Sequence, residues 1–510
     1  MKNFQNFLLV LVNISMFLLS FIKADNFAFL AAGSKGYINY RHQADVCHAY
    51  QILIKNGFKE ENIIVMAYDD VANNWQNPYK GTLYNKPSRP DRPDENVYEG
   101  CNIDYWGRAV HPKNFLNILS GDGENLKYKE YSNQRVFKTN ESDNIFVFFS
   151  DHGGPGLISF PPQLFVSKML FKRQLVKTLK KMKKQKKYDN LTFYMETCYS
   201  GSMFTTLPDD IGVYALSAAN ATQPSLATFC PPRDNYINGK KLNTCLGDVF
   251  SINWMENTEN SDIFETTLQQ QFEVVKEKTT QSHVLQWGDL QFTNNTLSEF
   301  MAPQKKEYEK QQQTIKSISN DNYSVYNKVL DYWKNLQLQF KKGQQIIKSQ
   351  NRNLRYANQY QYQQEDGEYQ QISNYKIETD YLVRQYQMNP IEDNYLLLQY
   401  ELLKKKVFKQ EFDQFKQKYQ ISEVQLISDD TDFKCYEKLI KKFEKQCFLL
   451  NEYAMSRIIL FYNFCAKGEK KELLEKVKNF QFCHQGNGME IEIEMIKEIQ
   501  DLLVKKKLIE

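Results

Sequence analysis

The sequence lacks several features that would each indicate a particular class of protein. Its net charge is only +4 over 510 residues, so it has no basic excess of the kind that favours nucleic acid as a partner. Beyond the first 24 residues no stretch reaches the 18 apolar residues that a membrane-spanning helix needs. There is no Cys-x-x-Cys motif, which argues against a structural zinc site. With 42% hydrophobic and 14% aromatic residues, the composition is that of a folded globular protein.

The first 24 residues have the pattern of a signal peptide. Lys2 supplies a positive start, Phe7–Ile22 is mostly apolar, and Ala24 is a small residue at which cleavage can occur. The alternative is a membrane anchor, but this apolar stretch is short for spanning a bilayer. We therefore expect a mature protein without a membrane segment, secreted or delivered to a lysosome or vacuole, in an oxidising environment.

Residues 25–300 alternate between short apolar runs and helical patterns. A helical pattern over Gln43–Lys55 ends at Asn56-Gly57, which is a normal helix stop. Alternation of this kind predicts an α/β domain with a mostly parallel sheet covered by helices on both faces. The predicted strands are Phe27–Ala32, Ile63–Tyr68, Ile145–Ser150, Leu191–Thr197 and Val213–Ala218.

The character of the chain changes after residue 300. Residues 301–368 are rich in polar residues and predict a connector that contains one amphipathic helix, Val325–Phe340. From residue 369 to residue 510 the pattern is helical with almost no strand signal, which predicts a second, all-α domain.

Two of the predicted strands end in residues that can carry chemistry. One is followed by Asp151-His152-Gly153, and the next by Cys198. Because sites in parallel sheets collect at the carboxyl ends of strands, these segments can bring His152 and Cys198 together. A nearby histidine lowers the pKa of a cysteine thiol and so activates it. A lone cysteine or histidine is more often structural, but the paired placement favours a nucleophile and its base.

Several consecutive motifs resemble the legumain (asparaginyl endopeptidase) family of cysteine peptidases. The resemblance spans roughly residues 26–290 and implies a caspase-like α/β fold. The motifs are Gly33-Ser34-Lys35-Gly36-Tyr37-Ile38-Asn39-Tyr40-Arg41-His42-Gln43-Ala44-Asp45, Tyr68-Asp69-Asp70, Asp151-His152-Gly153, Glu196-Thr197-Cys198-Tyr199-Ser200-Gly201-Ser202-Met203, Ala218-Ala219-Asn220 and Leu246-Gly247-Asp248. Thr197 and Tyr199 depart from the smaller or acidic neighbours expected of the nucleophile in many relatives.

The resemblance assigns a role to each matching residue. Cys198 is the nucleophile, His152 the general base, Asn39 the residue that orients the histidine, and the N–H groups of Gly153 and Cys198 form the oxyanion hole. The implied specificity pocket consists of Arg41, His42, Glu196, Ser225 and Asp248. A guanidinium beside carboxylates can pair with both ends of an asparagine amide. An internal salt-bridge network without a binding role is the alternative interpretation of the same charges.

Nine cysteines are present, of which Cys198 has to stay free to work. Cys47 and Cys101 have no evident partner in the sequence. The resemblance implies a disulfide between Cys230 and Cys245 near the pocket. Four cysteines in the helical domain allow three pairings, and the likeness to a legumain prodomain favours the first with the third and the second with the fourth: Cys435 with Cys465, and Cys447 with Cys483.

The expected activity is hydrolysis of protein and peptide substrates after Asn, and after Asp in acid, with no cofactor and no metal. The resemblance gives the helical domain the role of an inhibitory lid on a self-activating zymogen. We expect Lys and Arg of the lid to pair with Asp and Glu of the pocket, so that acid loosens the lid. The connector offers Asn351, Asn353 and Asn358 as sites of self-cleavage. Cystatin-type proteins are candidate inhibitors.

Other functions share parts of this pattern. A peptide ligase resolves the same acyl-enzyme with an amine instead of water, and the catalytic groups do not distinguish the two. The catalytic subunit of a lipid-anchor transamidase has a similar fold, but it should end in a transmembrane helix, which the terminal Lys505-Lys506-Lys507 does not resemble. An inactive relative that serves as a binding protein would have less reason to keep Asn39, His152 and Cys198.

Overall fold

A computed structural model describes most of the chain. The described residues are 24–89, 93–163, 166–303, 371–423, 432–466, 470–483 and 489–509. The predicted signal peptide, except for Ala24, lies outside these residues. The amphipathic helix expected at Val325–Phe340 and the cleavage candidates Asn351, Asn353 and Asn358 also lie outside them and remain predictions.

A six-stranded sheet forms the centre of the first domain. Its strand order is β13-β8-β7-β3-β1-β2, and every neighbouring pair is parallel except the antiparallel pair of β13 with β8. The predicted mostly parallel sheet is thus confirmed, and the five predicted strands are each found to within two residues at either end. The strands are β1 (Asn26–Ala32), β2 (Ile63–Met66), β3 (Asn144–Ser150), β7 (Leu191–Glu196), β8 (Val213–Ser217) and β13 (Leu285–Gly288).

Helices cover both faces of this sheet, as the alternating pattern predicted. On one face Phe115 packs against Phe29, Phe149 and Phe193, and on the other Trp254 packs edge-on against β3 and β7. Both faces are therefore dry, which explains why the strands are almost continuously apolar. The helices of this domain are α1 (Tyr40–Lys55), α2 (Pro112–Ser120), α3 (Lys172–Lys184), α4 (Val249–Glu259), α5 (Leu268–Lys278) and α6 (Ser298–Met301).

Smaller sheets lie near the carboxyl edge of the central sheet. One consists of β4 (Gly153–Gly154), β5 (Leu157–Gln163) and β6 (Val166–Phe171). Another, with the order β12-β9-β14, joins β9 (Leu226–Thr228) and β12 (Gly247–Asp248) to β14 (Ile372–Ser373) from the C-terminal domain. A short hairpin is formed by β10 (Tyr236–Ile237) and β11 (Lys240–Lys241).

The C-terminal region is helical, as predicted, and shares an apolar core with the first domain. Leu157 and Phe171 from the β4–β6 sheet belong to the same buried cluster as Phe412, Tyr436 and Phe461. No helix among the described residues is both long and apolar enough to span a bilayer. The C-terminal helices are α7 (Asn374–Met388), α8 (Glu392–Tyr419), α9 (Phe433–Gln446), α10 (Glu452–Arg457), α11 (Ile459–Cys465), α12 (Lys470–Asn479) and α13 (Glu490–Lys505).

Eight of the nine cysteines form disulfides, and Cys198 is free. The pairs Cys230–Cys245, Cys435–Cys465 and Cys447–Cys483 are those that the resemblance implied. The view that Cys47 and Cys101 have no evident partner is wrong, because they are bonded to each other. Cys47 lies on α1 and Cys101 is 54 residues further on in a long loop, so only the folded loop brings the two thiols together.

Candidate active site

Parallel pairing of β3 with β7 brings the two chemically active segments together. The last residue pair in this ladder is Ser150 with Glu196, and the N–H of Asp151 continues it by donating to the Glu196 carbonyl at 3.0 Å. His152 and Cys198 therefore emerge from adjacent strands at the same edge of the sheet, where the sequence predicted a site. They line one small cavity together with Gly153 and Tyr199.

The two segments approach each other so closely that Gly153 cannot carry a side chain. A Cβ atom at this position would lie 2.5 Å from the carbonyl oxygen of Cys198 and 2.7 Å from Oγ1 of Thr197. Immediately after the cysteine, Tyr199 adopts a left-handed backbone with φ of 56°, which is strained for a residue with a side chain. This sharp turn follows the end of β7 at Glu196 and directly precedes a short 3-10 helix that begins at Ser200.

His152 is held by Asn39, the residue to which the resemblance gave that role. Oδ1 of Asn39 lies 2.9 Å from Nε2 of His152, while the Asn39 amide donates to the Lys35 carbonyl at 2.9 Å. The second bond fixes the orientation of the amide, so its oxygen must face the ring and Nε2 must carry the hydrogen. Nδ1 is then left without a proton and is the nitrogen that can act as a base.

The thiol of Cys198 is not activated in this state. No hydrogen bond joins it to His152 among the described residues, and its pKa is raised to about 12, chiefly by burial and also by the charge of Glu452. The expectation that the histidine would lower the thiol pKa is therefore wrong for the covered form. The physical reason is that the C-terminal domain removes water from the site, which disfavours the charged thiolate.

Glu452 of that domain lies directly against His152. Its Oε1 is 3.0 Å from Nε2 of His152, and its side chain is only 9% exposed. Burial raises the pKa of Glu452 well above its ordinary value, although Arg41 opposes that rise. Tyr199 and Tyr436 add further contacts, since Tyr199 donates to the Ser456 carbonyl at 3.2 Å and Tyr436 to the Pro155 carbonyl at 2.9 Å.

The five residues expected to form a specificity pocket are all buried at the same end of the sheet. Nε of Arg41 pairs with Oδ1 of Asp248 at 3.1 Å, and His42 stacks edge-on against His152 with ring centroids 4.9 Å apart. Glu196 accepts hydrogen bonds from the backbone and hydroxyl groups of Ser251 at 3.1 and 3.2 Å. The structure therefore brings the whole expected set together.

The pocket contains more carboxylates than cations. Burial raises the pKa values of Asp45, Glu196 and Asp248, and the mutual repulsion of these groups adds to the effect on Asp45 and Glu196. Among the described residues, four buried atoms of this pocket have no hydrogen-bond partner: Nη2 of Arg41, Nε2 of His42, Oε1 of Glu196 and Oδ2 of Asp248. Buried polar atoms normally have partners, so this pocket offers both unused donors and unused acceptors to a polar group that enters it.

An asparagine from the C-terminal domain already occupies the entrance to this pocket. The N–H of Asn374 donates to the Ser225 carbonyl at 3.2 Å, and its side-chain amide donates to Oγ of Ser225 at 2.9 Å. The Asn374 side chain also helps to stabilise the charge on Asp248. Asn374 is only 1% exposed, so the contact with the pocket buries it almost completely.

The same regions match known families in sequence. Residues 26–314 match the Peptidase C13 family, and residues 396–483 match the legumain prodomain. The first match covers more than half of the 510 residues. The chain belongs to the peptidase C13 family. The caspase-like α/β fold with a C-terminal legumain-type helical domain, as predicted, is thereby confirmed.

Similar members of this peptidase C13 family occur in animals and plants. Legumain of Rattus norvegicus is 42% identical over 271 residues, which cover 53% of this chain and 58% of the relative. Legumain of Canavalia ensiformis is 42% identical over 283 residues, 53% of this chain and 56% of the relative. The vacuolar-processing enzyme of Vicia sativa is 43% identical over 279 residues, 54% of each chain. The chain thus spans slightly more than half the length of these relatives.

Four contributors to the site were missed by the sequence analysis. Asp45 stands at the end of the first motif that resembles the legumain family, and it is the only acidic residue of α1, which was the available signal. Ser251 lies in the first turn of α4, just after Asp248, and gave no signal of its own. Asn374 and Glu452 belong to a domain that is remote in sequence, so only the tertiary contact shows that they reach the active centre.

The guanidinium of Arg41 is expected to stabilise the folded protein. Arg41→Met should lower the free energy of unfolding by roughly 3–5 kcal/mol, because it leaves buried carboxylates without their cation. The loss should be larger at pH 7 than at pH 5. The folded state raises the pKa values of the buried carboxyls, so ionising them destabilises the fold as the pH rises above their ordinary, unfolded-state pKa. Urea-induced unfolding of full-length protein in the Cys198→Ala background measures this.

The matched control for this prediction is Arg173→Met, which removes an exposed arginine from α3. We expect that variant to unfold at nearly the wild-type urea concentration. Equal unfolding midpoints for the two variants would show that Arg41 does not balance the buried carboxylates.

Proposed function

We propose that the chain is a cysteine endopeptidase that hydrolyses peptide bonds after asparagine and is made as an inactive precursor. The observation that carries this proposal is the binding of Asn374 at the specificity pocket. Its amide contacts Ser225 and lies beside Asp248, and the strand before it pairs with β9. An asparagine held by backbone pairing and by a pocket is the arrangement expected of a bound substrate.

The proposed chemistry uses the groups that lie around the small cavity. Sγ of Cys198 attacks the carbonyl carbon after asparagine, and the N–H groups of Gly153 and Cys198 stabilise the resulting oxyanion. His152, oriented by Asn39, takes up the thiol proton and passes it to the departing amine as the C–N bond breaks. Water then hydrolyses the thioester, which frees the new carboxyl end and restores the thiol.

The specificity is proposed to come from the unused polar atoms of the pocket. An asparagine side chain offers two donors and an acceptor, which can meet the carboxylates and the guanidinium of Arg41. An apolar side chain would leave those buried groups unpaired at a cost of several kcal/mol. An aspartate fits in acid, where its carboxyl is protonated and resembles an amide in shape and hydrogen bonding.

The C-terminal domain is proposed to act as the inhibitor of the precursor. Its residues Asn374, Glu452 and Ser456 contact the pocket, the histidine and the turn after the nucleophile. We expected Lys and Arg of the lid to pair with acidic groups of the pocket. At His152 this expectation is wrong, because the lid side chain that lies against the imidazole is the carboxylate of Glu452. Proteins and peptides remain the proposed substrates, and cystatin-type proteins remain candidate inhibitors.

The proposed setting is an acidic compartment reached through the secretory route, such as a lysosome or vacuole. The similarity to a vacuolar-processing enzyme of Vicia sativa supports this setting, as do the four disulfides. A ligase would use the same acyl-enzyme with a peptide amine instead of water, and mass spectrometry of the products at neutral pH separates the two reactions.

Catalysis itself is tested by removing each member of the catalytic pair. Cys198→Ala and His152→Ala should each abolish hydrolysis of a synthetic peptide that contains one asparagine, because the nucleophile or its base is lost. His111→Ala is the control, since that histidine caps α2 away from the cavity. The assay uses protein treated with acid to release the lid. Wild-type turnover by either catalytic variant would refute the assignment.

Specificity is tested at Asp248. Asp248→Ala should lower kcat/KM for a peptide cut after Asn by roughly ten- to a hundredfold, which corresponds to losing one or two hydrogen bonds to the amide group. Peptides with Asn, Asp, Lys and Leu before the cut are compared at pH 5 and pH 7. A wild-type profile dominated by Lys or Leu would contradict the proposed pocket.

Acid release of the lid follows from the titration of His152. Burial and then Arg41 lower the pKa of His152 well below its ordinary value in the docked form. As the pH falls below about 6.5, the released form gains a proton that the docked form lacks, so docking weakens. Glu452 has the opposite effect, because its pKa is raised in the docked form. As the pH falls, the docked form binds this proton first, which strengthens docking. Below about pH 4.3 both forms are protonated at Glu452, and its effect does not grow further.

We therefore expect release to be complete only at about pH 4 to 5. Full-length wild type and Cys198→Ala are held at stepwise lower pH and examined on a gel and in the peptide assay. Wild type should fragment and become active in acid, while Cys198→Ala stays whole. Full activity of an uncut, lid-bound chain at neutral pH would show that this domain is not inhibitory.

A further inference from the structure

A buried histidine that has no part in the proposed chemistry lies one helical turn beyond the specificity pocket. His48 is on α1, the helix that also carries Arg41 and Asp45 of the pocket. The spacings of four and three residues place these three side chains on the same face of the helix. His48 is only 2% exposed, so both of its ring nitrogens need partners within the protein.

Asn85 is the partner of one ring nitrogen. Its Oδ1 lies 2.8 Å from Nδ1 of His48, while its amide nitrogen donates to the Leu246 carbonyl at 2.9 Å and to Oδ1 of Asp45 at 2.7 Å. A backbone carbonyl can only accept a hydrogen bond, so the contact with Leu246 fixes which end of the amide is the nitrogen. Nδ1 of His48 must therefore carry a hydrogen and donate it to Asn85.

Glu259 is the partner of the other ring nitrogen. Its Oε1 lies 3.0 Å from Nε2 of His48, and its Oε2 pairs with Nζ of Lys86 at 3.0 Å. Burial acts to raise the pKa of Glu259, but the hydrogen bond and charge of His48, together with Lys86, lower it to about 2. Because the carboxylate can only accept, Nε2 carries a hydrogen as well, and His48 is a cation that donates in both directions.

The amide of Asn85 packs against the backbone of the specificity pocket. Asn85 is 2% exposed, and a Cβ atom on Gly247 would lie only 3.0 Å from its Nδ2. Gly247 and Asp248 together form β12. The side chain that His48 holds is thus in contact with the short strand that carries a pocket carboxylate.

The orientation of this amide also affects the charges of the pocket. Burial and then the charge of Asp248 raise the pKa of Asp45, and the hydrogen bond from Asn85 opposes that rise. Burial likewise raises the pKa of Asp248, while Arg41 and a hydrogen bond with Asp45 oppose the rise. If the amide turned round, its oxygen would face an oxygen of Asp45, and the two would repel each other unless the carboxyl were protonated.

We propose that His48 is a positioning residue for the specificity pocket. Held by Glu259, it fixes the amide of Asn85, and that amide holds the pocket carboxylates in the arrangement that binds a substrate asparagine. This inference rests on the proposed function, because it assigns a further residue to the same pocket. His48 is not among the residues that line the cavity around the thiol, so its effect is on binding of the substrate and not on the chemical step.

The test replaces His48 in acid-activated protein and measures KM and kcat separately on a synthetic peptide that contains one asparagine. His48→Leu leaves Oδ1 of Asn85 buried without its donor. KM should therefore rise about tenfold, the effect of one weakened hydrogen bond to the substrate amide, while kcat changes by less than about twofold. KM does not depend on the fraction of enzyme that is active, so partial misfolding cannot produce this result.

A conservative variant separates the hydrogen bond from the bulk of the side chain. In His48→Asn the amide nitrogen is bonded to Cγ, as Nδ1 of histidine is, so it can still donate to Asn85. This variant should keep KM within about threefold of the wild-type value. His111→Leu is the matched control, because it also removes a buried histidine, at the start of α2 and away from the cavity, and it should leave KM and kcat unchanged.

A double-mutant cycle tests whether His48 acts through Asn85. Asn85→Ala should raise KM at least as much as His48→Leu does, and adding His48→Leu to Asn85→Ala should change KM little further, because the group that the histidine positions is gone. An unchanged KM in His48→Leu, a fall in kcat without a rise in KM, or effects on KM that simply add would each overturn the proposal.

The wild-type enzyme decides the proposed function separately. If wild type cuts after asparagine but the variants behave in one of those three ways, the role of His48 is refuted and the proposed function stands. If wild type cuts only after Lys or Leu, the proposed function fails, and the role assigned to His48 fails with it.

Discussion

Parallel pairing of β3 with β7 is the interaction on which the active centre depends. It joins two strands whose following residues are His152 and Cys198, and the absence of a side chain at Gly153 allows their loops to approach closely. Asn39, which follows β1 on the other side of β3, then reaches the imidazole at 2.9 Å. Two adjacent strand ends thus hold His152 and Cys198, and a short 3-10 helix after β1 (Tyr37–Asn39) holds Asn39 beside them, so regular elements position all three side chains.

The same edge of the sheet carries a buried group of charges that would be unstable without further partners. Arg41 is paired with Asp248, while Asp45 and Glu196 share the space with raised pKa values. Such a pocket is costly to bury, and its unpaired atoms favour a ligand that can both donate and accept hydrogen bonds. The stability of the pocket and its proposed selectivity for an amide therefore have the same physical origin.

The C-terminal domain contacts the active centre at three places. A strand, an asparagine and a carboxylate from this domain meet β9, the pocket and His152 respectively. Burial under these contacts raises the thiol pKa and lowers the imidazole pKa, so both groups are held in their uncharged forms. Covering the site and raising the thiol pKa therefore have the same physical cause, the removal of water from the thiol.

The sequence by itself determined the sheet, the helical second domain and the identity of the residues at the strand ends, because apolar runs and helical periodicity are local properties. Motif order was enough to name Asn39, His152, Cys198 and the pocket residues. Only the tertiary structure decided the bond between Cys47 and Cys101 and the placing of Asn374 and Glu452 in the active centre. These are contacts between segments far apart in sequence, and no local pattern records which surface a folded domain will present. Only the tertiary structure decided that an acidic side chain, Glu452, lies against His152, because this depends on one residue of the lid and not on its composition.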